Sequence, residues 1–179
     1  MLNCQENRID DEGAQHLTNA LLENTTLATL NLSFNRIGDE GAQYLADALQ
    51  QNKTLVSLDL QSNKIGKTGA IFLANALQKN TTLTTLNLQN NRIDSTGAQY
   101  LANALEHNRT LTTLDLIENN IGIAGAIYLT NVLQQNTVTL LILPTIRIYL
   151  PCIEFRQSPY EILNASQMVM TRNQISLTH

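Results

Sequence analysis

Proton transfer and metal binding need histidine, cysteine or carboxylate side chains brought together, and this chain spaces them by repetition instead. His16 and His107 stand at different places in distant copies of a repeated unit. No Cys-x-x-Cys, His-x-x-x-His or activated-serine pattern occurs. The carboxylates are scattered one copy at a time, so paired acid–base work finds no support. The expectation is a protein that is not an enzyme, with no cofactor and no metal site. The chemistry left is recognition.

Four columns of side chains carry it. Thr29, Ser57, Thr85 and Thr113 form the first; Asn31, Asp59, Asn87 and Asp115 the second. Ser33, Gln61, Gln89 and Ile117 form the third, and Phe34, Ser62, Asn90 and Glu118 run beside them. Such a face is polar, slightly acidic and nearly free of the Trp, Tyr and Arg anchors that dominate tight interfaces. It suits a protein partner, with Asp59, Asp115 and Glu118 favouring a basic patch. A second column, Arg8, Arg36, Lys64 and Arg92, stacks cations, but Asp10, Asp39, Glu40 and Asp94 lie close by. It reads as a solvated, locally neutralised edge and not as a nucleic-acid site. The rings of the column His16, Tyr44, Phe72, Tyr100 and Tyr128 are expected to pack between helices with polar tips outward.

These columns exist because the run Leu27-Ala-Thr-Leu-Asn-Leu-Ser-Phe-Asn-Arg-Ile returns at Leu55, Leu83 and Leu111, each time after 28 residues. A partial copy starts at Leu2. The alternation Leu30-x-Leu32 predicts a short strand, with Leu30 and Leu32 on one face and Thr29, Asn31 and Ser33 on the other. Ala42, Leu45 and Leu49 then lie on one helical stripe, and Asp39 and Glu40 suit the positive end of that helix. Neither half buries its apolar face alone, so the copies must stack into a parallel sheet backed by a row of helices. Asn7, Asn35, Asn63, Asn91 and Asn119 are expected to form a structural ladder, because a buried amide can satisfy both backbone donors and acceptors where the chain bends. Gly13, Gly41, Gly69, Gly97 and Gly125 let the helix approach closely. Asn24, Asn52, Asn80, Asn108 and Asn136 follow each helix at a position that favours a left-handed cap. The first four also match the N-glycosylation pattern, which helix capping explains more cheaply.

A net charge of -4 and a pI near 5.3 argue against a general nucleic-acid or membrane-surface protein. Cys4 and Cys152 make no disulfide framework, and Cys4 takes a leucine's place in the repeat. The chain opens inside a repeat without a signal segment, so a cytoplasmic setting is expected. The apolar stretch from Val138 to Phe155 is broken by Pro144, Arg147, Pro151 and Glu154, which disfavours a membrane span. All eight glycines precede Asn136 and all three prolines follow it. We therefore divide the chain into residues 1–136, five repeats with the first one partial, and residues 137–179. There Leu141 and Leu143 suit a degenerate last strand, Ile146 replaces the ladder Asn, and an unassigned tail follows.

The repeat L-x-x-L-x-L-x-x-N-x-I, from Leu2 to Asn136, resembles leucine-rich repeats of the ribonuclease-inhibitor type. That resemblance implies an α/β solenoid, a horseshoe arc with parallel strands on the concave face and helices on the convex face. The wording of Asn35-Arg-Ile-Gly-Asp-Glu-Gly-Ala-Gln-Tyr-Leu-Ala-Asp-Ala-Leu49 is similar to repeats of NOD-like receptors, especially those with a caspase-recruitment domain. It implies a ligand-sensing or autoinhibitory region of an innate immune or signalling protein, although no phosphate-binding loop for the family's nucleotide module occurs here. A weaker resemblance to the GTPase-activating protein for Ran leaves a GTPase regulator as an alternative. A truncated fragment without independent function is another. Leu2, Cys4, Ile9, Leu17 and Leu21 would face an uncapped end of the stack, where self-association is expected.

Overall fold

The structure is a computed structural model and describes residues 1–133, 140–143 and 168–170. Strands and helices alternate: β1 (Leu2–Asn3), α1 (Asp11–Glu23), β2 (Thr29–Asn31), α2 (Asp39–Gln51), β3 (Ser57–Asp59), α3 (Lys67–Leu77), β4 (Thr85–Asn87), α4 (Ser95–His107), β5 (Thr113–Asp115) and α5 (Gly122–Leu133). β6 (Leu140–Leu143) and β7 (Met168–Met170) complete one sheet in chain order. The result is a leucine-rich repeat solenoid with strands in one layer and helices in the other.

Register follows the repeat. Leu30 pairs with Leu58, Leu58 with Leu86 and Leu86 with Leu114, all in parallel strands. Leu141 then pairs with Leu114 after 27 residues, which absorbs the one-residue slip in the sequence. β7 runs antiparallel to β6, with Ile142 opposite Val169. The expectations at Asn136, Ile146 and Cys152, and most of the stretch from Val138 to Phe155, fall outside the described residues. Among the described residues no helix is long and apolar enough to cross a membrane.

The core lies between the layers. Leu30, Leu32, Ile37, Leu45 and Leu49, with their counterparts in later repeats, are buried into one continuous cluster. Each such leucine or isoleucine contributes about 1.5–3 kcal/mol when withdrawn from water. Helices approach closely because glycine faces the helix before it. A Cβ on Gly69 would stand 3.0 Å from Ala42 Cβ and 2.8 Å from Ile65 Cγ2, and one on Gly97 would stand 3.0 Å from Ala70 Cβ and 2.9 Å from Ile93 Cγ2. The close neighbour is thus the preceding helix and the repeat's own isoleucine.

Candidate functional site

Strands β2 to β5 are each three residues long and bury their middle leucine completely. The flanking side chains therefore stand on the opposite face. Thr29, Ser57, Thr85 and Thr113, and Asn31, Asp59, Asn87 and Asp115, are all half-buried there and lie side by side in register. Gln61 and Gln89 are half-buried beside them. Phe34, Asn90 and Glu118 are exposed and Ser62 is half-buried.

Two residues expected on this face are not on it. Ser33 is 2% and Ile117 8% exposed. The reason is local. Asn31 Oδ1 accepts the Ser33 N–H at 2.9 Å, and Asp115 Oδ1 accepts the Ile117 N–H at 2.9 Å. The same turn recurs in all four repeats, so the difference lies in the side chain that follows it: the long, polar Gln61 and Gln89 stay half-buried beside the columns, whereas the short Ser33 and the apolar Ile117 are buried. The next residue takes a left-handed backbone: φ is 56° at Phe34, 53° at Ser62, 51° at Asn90 and 54° at Glu118.

The same bonds explain why the second column holds only Asn and Asp. Asp59 accepts from Gln61 N and Asn87 from Gln89 N, so one side-chain oxygen in each repeat is committed to the turn. Asp59 and Asp115 keep a second carboxylate oxygen beyond that bond, where Asn31 and Asn87 carry an amide nitrogen. Burial raises the Asp115 carboxyl above its ordinary range, opposed by the Ile117 N–H and reinforced by the charges of Asp59 and Glu118. The acidic end of the face is therefore a place where a cation would relieve repulsion.

The asparagine ladder runs through Asn35, Asn63, Asn91 and Asn119. Asn63 Oδ1 accepts the Ile37 N–H at 3.0 Å, while Nδ2 donates to the Leu32 carbonyl at 3.0 Å and the Leu60 carbonyl at 3.1 Å. Asn35, Asn91 and Asn119 make the equivalent reach into the repeat before each. Asn7 is exposed, and its amide donates to the Gln5 carbonyl of its own turn.

A second ladder was not legible as such. The backbone at Asn24, Asn52 and Asn108 is extended and not left-handed. Asn52 Oδ1 accepts from the N–H groups of Thr54 and Leu55, while Nδ2 donates to the Leu21 carbonyl at 2.9 Å. Asn80 and Asn108 reach the Leu49 and Leu77 carbonyls at 2.7 Å in the same way. An extended asparagine with two downstream amides to satisfy outcompetes a left-handed cap. The bonds also disfavour the glycosylation reading at Asn52, Asn80 and Asn108, whose side chains are buried and donating. The signal available in the sequence was the strict Asn-x-Thr-Leu spacing after each of α1 to α4.

The other candidates separate. Arg8, Arg36, Lys64 and Arg92 are exposed along one edge. Among the ring column, Phe72 is half-buried and packs on the core, and Tyr44 is half-buried with its hydroxyl donating to Glu40 at 3.1 Å. That bond raises the Tyr44 pKa. His16, Tyr100 and Tyr128 are exposed, so within this column the ring packing on the core is seen at Phe72. An open groove of about 460 Å³ between α4 and α5, lined by Asn103, Glu106, His107 and Tyr128, belongs to the helix layer and not to the columns. Among the described residues no group of three or more His, Cys, Asp or Glu side chains is arranged to hold a metal.

The leucine-rich repeat pattern matches residues 23–46, 51–74, 79–102 and 107–129, together just over half of the chain. The chain belongs to the leucine-rich repeat family. Among solved structures this leucine-rich repeat protein is similar to leiomodin-1 actin-binding site 2, at 30% identity and a TM-score of 0.63, covering 75% of this chain and 79% of that one. It also resembles the tropomodulin C-terminal domain from Caenorhabditis elegans, at 16% identity and a TM-score of 0.64, covering 75% and 82%. The latter likeness shows the fold alone. No curated protein matches its sequence.

Proposed function

We propose that this chain is a protein-recognition module whose partner docks on the strand face. The observation that carries the reading is the register. Parallel pairing lines up Thr29, Ser57, Thr85 and Thr113, and Asn31, Asp59, Asn87 and Asp115, on a face opposite the core. The partner segment is basic, because Asp59, Asp115 and Glu118 supply the face's formal charges between β2 and β5. The repeat wording supports a sensing or autoinhibitory role in a cytoplasmic NOD-like receptor-type protein.

The test is affinity capture with the parent and with Asp59→Lys/Asp115→Lys/Glu118→Lys, beside a helix-face control, Asp47→Lys. Loss of a partner with the triple variant and retention with the control supports the reading. Equal capture by all three proteins overturns it.

A second reading is actin binding, favoured by the likeness to leiomodin-1 actin-binding site 2. Co-sedimentation with filamentous actin, alongside capture of monomeric actin, decides it. The Ran GTPase regulator reading has only its sequence resemblance, and stimulated GTP hydrolysis by a Ran-type GTPase would be its test.

Self-association rests on the first repeat. Leu2 is 42% exposed, and Leu17, Leu21, Leu27 and Leu30 line an apolar recess beside it. We expect light scattering to show concentration-dependent association that Leu2→Glu reduces. A monodisperse monomer at high concentration would overturn this.

A further inference from the structure

Glu6, Phe34, Ser62, Asn90 and Glu118 hold one place in successive repeats, and the fold gives all five a left-handed backbone, with φ between 51° and 59°. Their main chains are tied into a row. The Glu6 N–H donates to the Ser33 carbonyl at 3.1 Å, Phe34 to Gln61 at 2.8 Å, Ser62 to Gln89 at 2.9 Å and Asn90 to Ile117 at 2.8 Å. Side chains along the row meet as well, since the Asn90 amide donates to Ser62 Oγ at 3.0 Å. The charge of Glu118 reaches the Asp115 carboxyl, so the row borders the strand face.

Phe34 is out of place in this row. Asparagine tolerates a left-handed backbone, and serine and glutamate are at home in water. A bulky ring is strained there. Phe34 is also 45% exposed, and among the described residues the core cluster and the apolar side chains packed on it do not include this ring. Neither backbone preference nor burial accounts for phenylalanine where the other repeats carry polar side chains. An apolar contact from outside does.

We propose that this row binds an extended peptide segment of a partner protein, with an apolar side chain against Phe34 and a lysine or arginine four residues away against Glu118. The proposal rests on the strand-face reading and adds the partner's spacing to it. Phe34 and Glu118 are separated by three 28-residue repeats. At a strand spacing of roughly 4.8 Å that is about 14 Å. An extended chain rises roughly 3.3 Å per residue and turns every second side chain to the same side, so residues four apart reach both ends and face the same way. Between those ends Ser62 and Asn90 offer a hydroxyl and an amide to the segment's main chain. Glu118, exposed and beside Asp115, supplies the charge that a cation would balance. The row thus provides the aromatic anchor that the strand columns lack.

The probes are the capped peptide Leu-Ser-Ser-Ser-Arg and its reversed sequence, with Leu-Ser-Ser-Arg and its reverse as spacing controls. Each is titrated into the whole isotope-labelled chain and followed by NMR. At least one of the longer probes should move the amides of Phe34, Ser62, Asn90 and Glu118 and bind more tightly than its shorter control. Its binding to Phe34→Asn should be at least roughly tenfold weaker, the loss of an anchor residue. The same variant should unfold in urea no earlier than the parent, because relief of the left-handed strain works against loss of the ring's buried part. Binding that Phe34→Asn leaves unchanged, shifts that miss Phe34, no shift at all, or a Phe34→Asn chain that unfolds clearly earlier than the parent overturns the proposal. Capture with the charge-reversed variant uses no peptide, so the strand-face reading is decided separately.

Discussion

The amide nitrogen of Asn63 donates to the carbonyl oxygen of Leu32, 3.0 Å away and 31 residues earlier in the chain. The same interval recurs from Asn52 to Leu21, Asn80 to Leu49 and Asn108 to Leu77 at the other end of the strands. The repeats of β3, β4 and β5 are thus each held to the preceding one at both ends of the strand by buried asparagine, and the columns of the strand face keep their register because of it.

Asn63→Leu should destabilise the fold by about 1–3 kcal/mol, because the Ile37 N–H and the Leu32 carbonyl lose their polar partner in a dry interior. Asn7→Leu removes only an exposed bond to Gln5 and should change stability by well under about 1 kcal/mol. Urea denaturation of the two variants checks this pair. Equal losses would count against the ladder.

Asp39 Oδ1 accepts the Gly66 N–H at 2.6 Å, so α2 caps α3. Asp39→Ala should cost about 0.5–2 kcal/mol through the lost cap on α3. Adding Gly66→Asp should recover most of it, since Gly66 has φ of -103°, which an aspartate adopts, and Asp94 shows the self-capped arrangement. Thermal melts of the single and double variants are the measurement. A double variant no more stable than Asp39→Ala would sink the cross-repeat cap.

Gly97→Ala should destabilise by about 1–3 kcal/mol, the usual range for overpacking, because its Cβ would press on Ile93 and Ala70. Gly122→Ala faces no such contact but has φ of 63°, so its smaller loss comes from backbone strain alone. Chemical denaturation that ranks Gly122→Ala as the worse of the two would contradict this packing account.

Asp115 sets a pH dependence. Its carboxyl binds the proton more tightly in the folded chain than in the unfolded one, so its contribution to stability falls as pH rises above the ordinary value of 3.8. Asp115→Asn keeps an acceptor for Ile117 N–H, as Asn87 does for Gln89. The variant should be slightly more stable than the parent at pH 7, by less than about 1 kcal/mol, and indistinguishable at pH 3. A stability gain that is the same at both pH values would point to packing and not to charge.

The fold was legible because its signal is redundant: four copies of one leucine pattern leave a single way to bury the apolar faces. The Asn35 to Asn119 ladder was legible for the same reason. Ser33 and Ile117 misled because the place in the repeat was used without the size and polarity of the side chain: at the same place Gln61 and Gln89 stay half-buried beside the columns. Asn52 misled because a helix-ending asparagine has two uses, and choosing between them needs the Leu21 carbonyl, which belongs to the preceding repeat. Asp39 was read as serving its own helix dipole, whereas its hydrogen bond goes to Gly66. The relationships missed at Asn52 and Asp39 cross a repeat boundary, where sequence gives the spacing but not the partner.

Hydrogen exchange of the captured partner complex tests recognition by the strand face most directly. The account predicts protection gained at residues 29–34, 57–62, 85–90 and 113–118, with α1 to α5 unchanged. Protection confined to the helices, with those four segments unaffected, would contradict it.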